Sequence, residues 1–502
     1  MARRASIPFV NASQDSNDRT GMSAAKMINF YMESFEGKMC AIGTPGLSTW
    51  YNASGNSVRG CINFQETGYA VVDNTVYMIT NPTGTPVFTS LGTIDTSTGR
   101  VNFSAIAQAQ IIILNDGINT YSITGATPPA TLTNVSGVGG IPSSVLRVVA
   151  KDGFFIFLTS TNNQVWVSAV GAITVAGLSF FSINSNYDRI VTAICNDQFV
   201  YFFNQYTSEI WQDAGTDVQP FAQAPGGVLQ VGTAAKDSPV VLSENCYFLA
   251  QSTSGILGIM MMNGTTLQLV SDSFLNAKIA SYSTISDAFG WTHSDKGHVF
   301  YNITFPSADT SLAPTVGKTW SYDTSNGVWS ELQSYNPTYF TQDRHAANCQ
   351  MFIGNKTIIG DYQTGYFYVL SQDNFGDTLG GTFYDTRRVL IGPHIIDRDT
   401  FFSISNVELD LERGVGLDGS GQGSLPVLEF SVSKDRGHTY STPTTLTVPP
   451  RGDYRTRIRK GSLGGGYCFT PKLEVSDPVR WRVYGMTVEL GIANSNPQLN
   501  YG

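Results

Sequence analysis

Short apolar runs separated by polar turns dominate this chain. Runs rich in Val, Ile, Thr, Tyr and Phe alternate with clusters of Gly, Asn, Asp, Ser and Pro, and this pattern is typical of strands joined by turns. Stretches with the 3.6-residue apolar period of a helix are nearly absent. The one helix that we predict covers Met22 to Glu36, which Gly21 and Gly37 bracket. The pattern therefore predicts an all-β protein.

Seven segments repeat one pattern, in which an apolar strand, a polar turn and a second strand follow one another. The second strand carries an anchor residue, and the seven anchors are Tyr77, Tyr121, Trp166, Trp211, Leu257, Trp320 and Tyr368. They are spaced by 44, 45, 45, 46, 63 and 48 residues, and a period near 40–50 residues with several short strands indicates β-propeller blades. We predict a six- or seven-bladed β-propeller, with an irregular array of β-sandwiches as the alternative.

Beyond Asp373 the strands become longer and alternate strictly between apolar and polar positions. Val407, Leu409 and Leu411 alternate with Glu408, Asp410 and Glu412, as in a sheet with one buried and one wet face. We predict an antiparallel β-sandwich after the propeller. The expected domains are an extended N-terminal arm (1–57), the β-propeller (58–395), the β-sandwich (396–495) and a C-terminal tail (496–502).

Composition narrows the function classes. The 502 residues hold 39 Asp and Glu against 30 Lys and Arg, and the net charge of −9 argues against a nucleic-acid binder that works by bulk positive charge. No apolar run approaches the roughly 20 residues of a membrane-spanning helix, and the N-terminus lacks the apolar core of a secretory signal. The six scattered cysteines contain no CxxC. We expect buried, reduced thiols, with metal or disulfide frameworks as the less favoured alternative.

Two glycine motifs resemble nucleotide-binding loops but lack the required context. Gly414 to Gly419 fits GxGxxG, yet it leads into another glycine-rich segment and not into a helix that could bind a pyrophosphate. Gly317-Lys318-Thr319 resembles the end of a phosphate loop, but Leu312 occupies the position of the first glycine. We interpret the first as a hairpin loop and reject the second.

Ser433 to Tyr440 fits the Asp-box pattern SxDxGxTW, with Tyr in place of Trp. Asp-boxes occur in sialidases and other propellers, so a role on glycans is an alternative. The chemistry itself suits a hairpin turn, because the carboxylate and hydroxyls can bind turn amides while glycine takes a positive φ.

No residue set indicates catalysis. The five histidines lack HxxxH and HExxH spacing, and GxSxG and cysteine-nucleophile signatures are absent. Carboxylate pairs for glycoside hydrolysis stay open, since their separation in space is not readable from sequence. We expect no catalytic residue, no metal site and no cofactor.

Two segments are candidates for protein interfaces. Arg455, Arg457 and Arg459 would share one face of a strand and could meet a phosphate backbone or an acidic partner, although a solvated face or a subunit contact is favoured. In the N-terminal arm, Ile7, Phe9, Phe30 and Tyr31 are candidate anchors of a strap between subunits. The Arg451-Gly452-Asp453 triplet is a chance integrin-like motif.

Several short motifs together resemble one known family. They are Ile7-Pro8-Phe9-Val10-Asn11, Asn29-Phe30-Tyr31-Met32-Glu33, Gly43-Thr44-Pro45-Gly46-Leu47, Arg59-Gly60, the Asp-box and Ser476-Asp477-Pro478-Val479. On these the chain resembles the packaged-DNA stabilisation proteins of short-tailed bacteriophages, with Met32 where that family commonly has Pro.

The resemblance implies a non-enzymatic tail hub of the virion, made in the host bacterial cytoplasm. Such a hub forms a ring, expected to be a homo-hexamer, below the portal and its adaptor ring. It closes the DNA exit channel, retains packaged double-stranded DNA, and carries the tail needle and the tailspikes or receptor-binding proteins, without membrane insertion. An Asp-box lectin or glycan hydrolase and a propeller scaffold of a bacterial host are the alternatives.

Overall fold

The computed structural model describes residues 3–7, 9, 25–35, 38–125, 130–185, 187–216, 219–312, 314–396 and 400–492. The predicted C-terminal tail (496–502) lies outside these residues. Five strands precede the repeats: β1 (Arg3–Ile7), β2 (Lys26–Ile28), β3 (Phe30–Phe35), β4 (Lys38–Gly43) and β5 (Gly46–Asn52).

Seven sheets follow, and we number them as blades 1 to 7. Blades 1 to 4 are four-stranded. Blade 1 contains β6 (Val58–Phe64), β7 (Thr67–Val72), β8 (Thr75–Thr80) and β9 (Val87–Thr93), and blade 2 contains β10 (Asn102–Ile106), β11 (Ile111–Asn115), β12 (Thr120–Thr124) and β13 (Thr131–Asn134). Blade 3 contains β14 (Arg147–Lys151), β15 (Phe154–Leu158), β16 (Gln164–Val167) and β17 (Phe180–Ser182), and blade 4 contains β18 (Ile190–Cys195), β19 (Phe199–Asn204), β20 (Ser208–Asp213) and β21 (Phe221–Leu229). Blade 5 contains β22 (Gly232–Thr233), β23 (Val240–Leu242), β24 (Asn245–Gln251), β25 (Leu257–Asn263) and β26 (Thr266–Leu269), and the helix α1 (Ser273–Ala280) follows it.

The last two blades share strands with other parts of the chain. Blade 6 contains β27 (Phe289–Asp295), β28 (His298–Asp309), β29 (Val316–Asp323) and β30 (Val328–Asn336), and β31 (Thr341–Arg344) pairs with β30. Blade 7 contains β32 (Ala347–Ile353), β33 (Lys356–Asp361), β34 (Tyr366–Ser371) and the early strand β5, with β35 (Asp377–Leu379) and β36 (Thr382–Tyr384) at its edge. The remaining strands are β37 (Arg388–Ile391), β38 (Ile395–Ile396), β39 (Phe402–Leu411), β40 (Val427–Ser433), β41 (Thr444–Thr447), β42 (Ile458–Gly466), β43 (Cys468–Val475) and β44 (Arg482–Ile492).

The blades form a closed ring because each pair of neighbours encloses its own apolar cluster. Ile113 of blade 2 packs with Phe155 of blade 3, for example, and Val58 of blade 1 packs with Phe367 of blade 7; all four side chains are fully buried. Seven such clusters join the seven blades. Since each blade buries both faces, its strands are apolar runs without alternation. The β-propeller prediction is confirmed, and the blade number is seven.

Strand β5 closes the ring. It pairs antiparallel with β34, with Thr49 opposite Tyr368, so a strand from the N-terminal side completes the last blade. Gly46 begins this strand because a Cβ there would lie 2.3 Å from the carbonyl oxygen of Gly376.

The C-terminal strands form two sheets around the largest apolar cluster. One sheet has the order β3-β4-β44-β39-β42, and the other contains β37, β43, β40 and β41. Val407, Leu409 and Leu411 of β39 are buried in the cluster between these sheets, whereas Asp410 is exposed. β37 pairs with β43, so the C-terminal sheets begin before the predicted boundary at residue 396.

The described part of the segment 1–57 corrects two predictions. Residues 25–35, predicted as helix, form β2 and β3, which Asn29 separates at a φ of +54°. The extended arm is wrong as well, because β3 and β4 form a hairpin in a C-terminal sheet. β2 lies between β30 of blade 6 and β37, and it thereby joins the propeller to the C-terminal sheets in one sheet. Partner strands remote in sequence decide this conformation, and local pattern does not encode them.

The one helix of the described residues, α1, lies where the anchor spacing widens to 63 residues. Its N-cap is Asp272, whose carboxylate accepts the N–H of Leu275 at 2.8 Å. Phe274, Leu275 and Ile279 pack into the cluster between blades 5 and 6. Within the described part of the chain, no helix has the length and apolarity needed to cross a membrane.

Candidate functional site

The centre of the propeller holds a cavity of about 280 Å³ that every blade lines through its innermost strand. One lining residue from each blade in turn is Cys61, Asn102, Arg147, Ile194, Val240, Trp291 and Cys349. Side chains from the innermost strands of all seven blades therefore converge at the centre of the propeller.

Two arginines form ion pairs with one aspartate at this centre. Arg147 Nη1 lies 3.0 Å from Asp237 Oδ1, and Arg100 Nε lies 4.0 Å from Asp237 Oδ2. Arg100 also donates to the carbonyl oxygen of Asn348 at 2.5 Å, and its guanidinium lies 3.9 Å from the centre of the Phe289 ring. Burial lowers the pKa of Arg100, although Asp237 opposes that shift. These contacts tie blades 5, 6 and 7 to the segments that enter blades 2 and 3.

The predicted arm anchors face the interior of this chain. Phe9 and Phe30 are buried in the cluster between the C-terminal sheets, and partly buried Ile7 packs against the same cluster from β1. Tyr31 is 5% exposed and makes an edge contact with Phe300 of blade 6 at 5.5 Å between ring centres. Phe9, Phe30 and Tyr31 are thus buried within this chain and Ile7 is partly buried. A strap between subunits built on these four residues stays a prediction.

The predicted arginine face is at the surface. Arg457 Nη1 and Arg459 Nη2 lie 3.4 and 3.0 Å from the same oxygen of Glu408, and both side chains are about half exposed. Arg455 is exposed, and its N–H donates to Asp453 in the turn before β42. One carboxylate thus faces two guanidinium groups, so the face keeps a surplus of positive charge. Its role as an interface stays a prediction.

The Asp-box forms a self-contained turn at the end of β40. Asp435 accepts the hydroxyl of Ser433 at 2.6 Å and the N–H of Thr439 at 2.9 Å, and Gly437 has a φ of +92°. These hydrogen bonds hold the pKa of the Asp435 carboxyl well below its usual range. The carboxylate is therefore committed to the turn, which lies in the C-terminal sheets and not in a blade.

The other motifs are structural as well. Residues 414–419 form a loop in which Gly414 and Gly419 have positive φ, and strand β40 follows it. Arg451 of the integrin-like triplet pairs with Asp418. Among the described residues, no group of three or more His, Cys, Asp or Glu side chains could hold a metal ion.

Residues of the motifs that carry the family resemblance stabilise contacts between blades 1 and 2 and between blade 6 and the C-terminal sheets. Buried Arg59 donates to the carbonyl oxygens of Asp73, Thr96, Thr98 and Gly99 at 2.6–2.7 Å and so ties the segment before blade 2 to blade 1. A Cβ at Gly60 would lie 2.5 Å from the carbonyl oxygen of Val101. Asn29 binds the backbone of blade 6 and of the segment before β37.

Sequence reasoning did not identify the central Arg100–Arg147–Asp237 cluster or the contact between Cys61 and Cys349. The sequence did contain one indication, because Cys61, Arg147 and Cys349 each lie in the first strand of a repeat. Once the repeats are aligned, first strands converge on the axis of a propeller.

Comparison with known proteins places this fold in a family. The model of the phage stabilisation family, described as "Bacteriophage P22 Gp10, beta-propeller", matches residues 6–375. No curated protein sequence matches the chain.

Several solved structures are similar at low identity. The N-terminal domain of Nup159 shares 7% identity, with 68% of this chain and 98% of that chain covered and a TM-score of 0.42. YCF48 from Cyanidioschyzon merolae shares 13% identity, with 65% of this chain and 99% of that chain covered and a TM-score of 0.41. The WD40 β-propeller domain of Doa1 shares 11% identity, with 65% of this chain and 97% of that chain covered and a TM-score of 0.38.

The fold defines a seven-bladed propeller scaffold that carries a C-terminal pair of sheets. Because the family model covers most of the chain, the protein belongs to the phage stabilisation family, the packaged-DNA stabilisation (tail hub) proteins of short-tailed bacteriophages. The family that the sequence motifs indicated is confirmed. The family is structural, and the protein is a component of the phage particle.

Proposed function

We propose that copies of this protein form a hexameric ring below the portal and adaptor of a short phage tail. The ring closes the DNA exit channel after packaging and carries the needle and the tailspikes or receptor-binding proteins. Family membership over residues 6–375 is the observation that carries this proposal. Assembly takes place in the host cytoplasm before the particle is released.

The side chains at the centre of the propeller support a ring of several copies. The central cavity is about 280 Å³ and contains the Arg100–Arg147–Asp237 cluster, which favours a path for DNA outside the single subunit. A channel for DNA must then lie on the axis of a ring and be bounded by outer surfaces of the subunits. The blades serve as rigid building units.

The charge of the protein suits such a channel. A net charge of −9 repels the phosphate backbone and limits sticking of DNA that leaves the particle. We expect neutralising substitutions of acidic residues on the channel face to slow ejection. Unchanged ejection kinetics in phage that carry these substitutions would contradict this part of the proposal.

The positive face at Arg455, Arg457 and Arg459 is our candidate for a contact with an acidic patch of a neighbouring subunit or of the adaptor. Its two paired guanidinium groups share one carboxylate, and electrostatic complementarity sets the register and rate of association. A glycan-binding function is not favoured by the Asp-box, whose carboxylate is bound within its own turn.

The test is the mass of the assembled protein. Light scattering of the purified 54.4-kDa chain, alone and with portal and adaptor rings of the same phage, should give a six-copy ring that stacks on the adaptor. The triple variant Arg455→Ala, Arg457→Ala, Arg459→Ala should weaken stacking or ring formation at least tenfold.

The matched control removes three exposed positive charges from the propeller by Arg189→Ala, Lys278→Ala and Lys296→Ala, and it should assemble normally. A monomer that ignores the adaptor would contradict the proposal, and a glycan-hydrolase screen would then follow.

A further inference from the structure

Two cysteine thiols meet where the ring of blades closes. Cys61 lies in β6, the innermost strand of blade 1, and Cys349 lies in β32, the innermost strand of blade 7. They are 288 residues apart in the chain, yet the thiol of Cys61 donates to the sulfur of Cys349 at 3.1 Å. The pair therefore spans the one junction of the propeller at which the two ends of the repeat array meet.

The pair differs from the other thiols of the protein. All six cysteines are free, and in the described part of the chain Cys61 and Cys349 are the one pair whose thiols lie within hydrogen-bonding distance of each other. Cys195, for example, donates to the carbonyl oxygen of Ala150 at 3.0 Å. A cysteine pair is thus a specific feature of the junction between blades 7 and 1.

Local packing holds the two sulfurs together. A disulfide bond is about 2.05 Å long, so the observed contact needs an approach of about 1 Å. A Cβ at Gly360 would lie 2.9 Å from the sulfur of Cys349 and 2.5 Å from Val58, which shows how little free space surrounds this thiol. The ring already brings the sulfurs together, so bond formation requires no rearrangement of the blades.

A small oxidant can reach the pair through the centre of the propeller. Both cysteines line the 280 Å³ cavity, and Cys61 is partly exposed there. The hydrogen bond to Cys349 and burial raise the pKa of Cys61, whereas the positive charge of Arg100 acts in the opposite direction. Little thiolate is present at neutral pH, so oxidation is slow in neutral solution and becomes faster as the pH rises.

We propose that Cys61 and Cys349 form an oxidisable pair whose disulfide locks blade 1 to blade 7. With hydrogen peroxide as the oxidant, the thiolate of Cys61 attacks one peroxide oxygen, the O–O bond breaks, and Cys61 becomes a sulfenic acid as one hydroxide leaves. Cys349, after losing its proton, attacks the sulfenic sulfur of Cys61 and releases a second hydroxide. Two protein thiols are oxidised to one disulfide, and one hydrogen peroxide is reduced to two water molecules.

The disulfide would add a covalent closure to a ring that is otherwise closed by strand pairing and apolar packing. Reduced thiols persist in a cytosol and disulfides persist outside cells. The time of oxidation, after release of the particle, rests on the proposed function, whereas the chemistry of the pair does not.

The experiment uses the purified full-length chain. After incubation with dilute hydrogen peroxide at pH 8.5, the thiols titrated in denaturant should fall from six to four, and peptide mapping should identify a Cys61–Cys349 bridge. Because the bridge closes a very long loop, Tm should rise by about 5 °C and return to its first value after reduction.

The control variants separate the pair from other thiols. Cys61→Ser and Cys349→Ser should show no oxidative rise in Tm, whereas Cys195→Ser should retain the full rise. Six thiols after oxidation, a bridge between other cysteines, or a stable sulfinic acid at Cys61 without a bridge would overturn the proposal. Peptide mapping of the unaltered protein tests for the Cys61–Cys349 bridge even if a serine variant does not fold. Failure of ring assembly would contradict the proposed function but would not change the outcome of this mapping.

Discussion

At the scale of single residues, the sequence motifs lie at positions where tertiary contacts tolerate few other side chains. Asn29 has a φ of +54°, and its side chain donates to the carbonyl oxygens of Gln333 and Arg387 at 3.0 and 2.8 Å. It also accepts the N–H of Gln333 at 2.8 Å. One side chain thus joins blade 6 to the segment that leads into the C-terminal sheets.

We predict that Asn29→Ala lowers the free energy of unfolding by about 3–4 kcal/mol. The substitution leaves buried backbone groups unpaired and places alanine at a positive φ. Urea unfolding monitored by tryptophan fluorescence measures the loss. Asn355→Ala is the control, because Asn355 also has a positive φ of 59° but lies in an exposed turn. A loss of about 1 kcal/mol there isolates the backbone cost, and equal losses at both sites would contradict the role of the Asn29 hydrogen bonds.

The central cluster gives a second prediction at this scale. Asp237→Asn should destabilise the protein by about 2 kcal/mol, because it leaves Arg147 and Arg100 without their carboxylate in a largely buried site. Asp418→Asn, which removes the exposed partner of Arg451, should cost less than about 0.5 kcal/mol. Thermal unfolding of the three proteins in parallel tests both expectations, and a neutral Asp237→Asn would exclude a stabilising cluster.

At the scale of elements, the repeat anchors predict the propeller well. In six blades the anchor lies in the third strand, namely β8, β12, β16, β20, β29 and β34, and in blade 5, where β22 and β23 both pair with β24, it lies in β25. A buried or partly buried aromatic or leucine at the corresponding place in each blade is a local requirement, so it appears as a period in the sequence. Strand partners that are remote in sequence leave no such period. This is why β5 in blade 7 and β2 between two sheets were not predicted.

The candidate site was predictable only in part. The surface position of Arg457 and Arg459 follows from alternation along a strand, since Ile458 between them is buried. The burial of Phe9 and Phe30 does not follow from the sequence. An isolated apolar residue in an irregular segment gives the same sequence pattern whether it packs within its own chain or against another subunit. The contact between Cys61 and Cys349 depends on ring closure over nearly the whole repeat array.

Strand β5 carries a prediction about ring closure. Leu47 of β5 is 1% exposed and packs in the cluster between blades 6 and 7. Leu47→Ala should cost about 3 kcal/mol and should raise amide hydrogen exchange first in β32, β33 and β34. Leu425→Ala, at a side chain that is 66% exposed, should change the free energy of unfolding by less than about 0.5 kcal/mol. Uniform exchange across all blades would argue against local opening at β5.

At the scale of the whole molecule, buried histidines couple stability to pH. Burial lowers the pKa of His293 to about 3 and that of His345 to about 4. In the unfolded chain both take up protons near pH 6.5. Their neutral burial therefore stabilises the fold fully above that pH, and this contribution is lost as the pH falls towards 4.

Two protons bound on unfolding predict a slope of about 2.7 kcal/mol per pH unit near pH 5. Urea unfolding at pH 7, 6 and 5 measures it. His345→Asn keeps an acceptor for the N–H of Ala347, which lies 3.2 Å from Nδ1, and should remove about half of the slope. His438→Asn, at an exposed position, should leave it unchanged. A slope that His345→Asn does not alter would show that other groups control acid stability.

The pairing of β5 with β34 has a consequence for the way the protein is made. A ribosome that adds about 5–20 residues per second needs about 15–60 s to proceed from the end of β5 to β34, and β3 and β4 must wait longer for β44. During that time the early strands are already synthesised but have no partner, and their edges are open to wrong pairing. Blades 1 to 6 can stack in order of synthesis, whereas ring closure has to wait until β34 has been synthesised. The yield of correctly closed subunits is then limited by how well the nascent chain is shielded from its neighbours on the same messenger RNA.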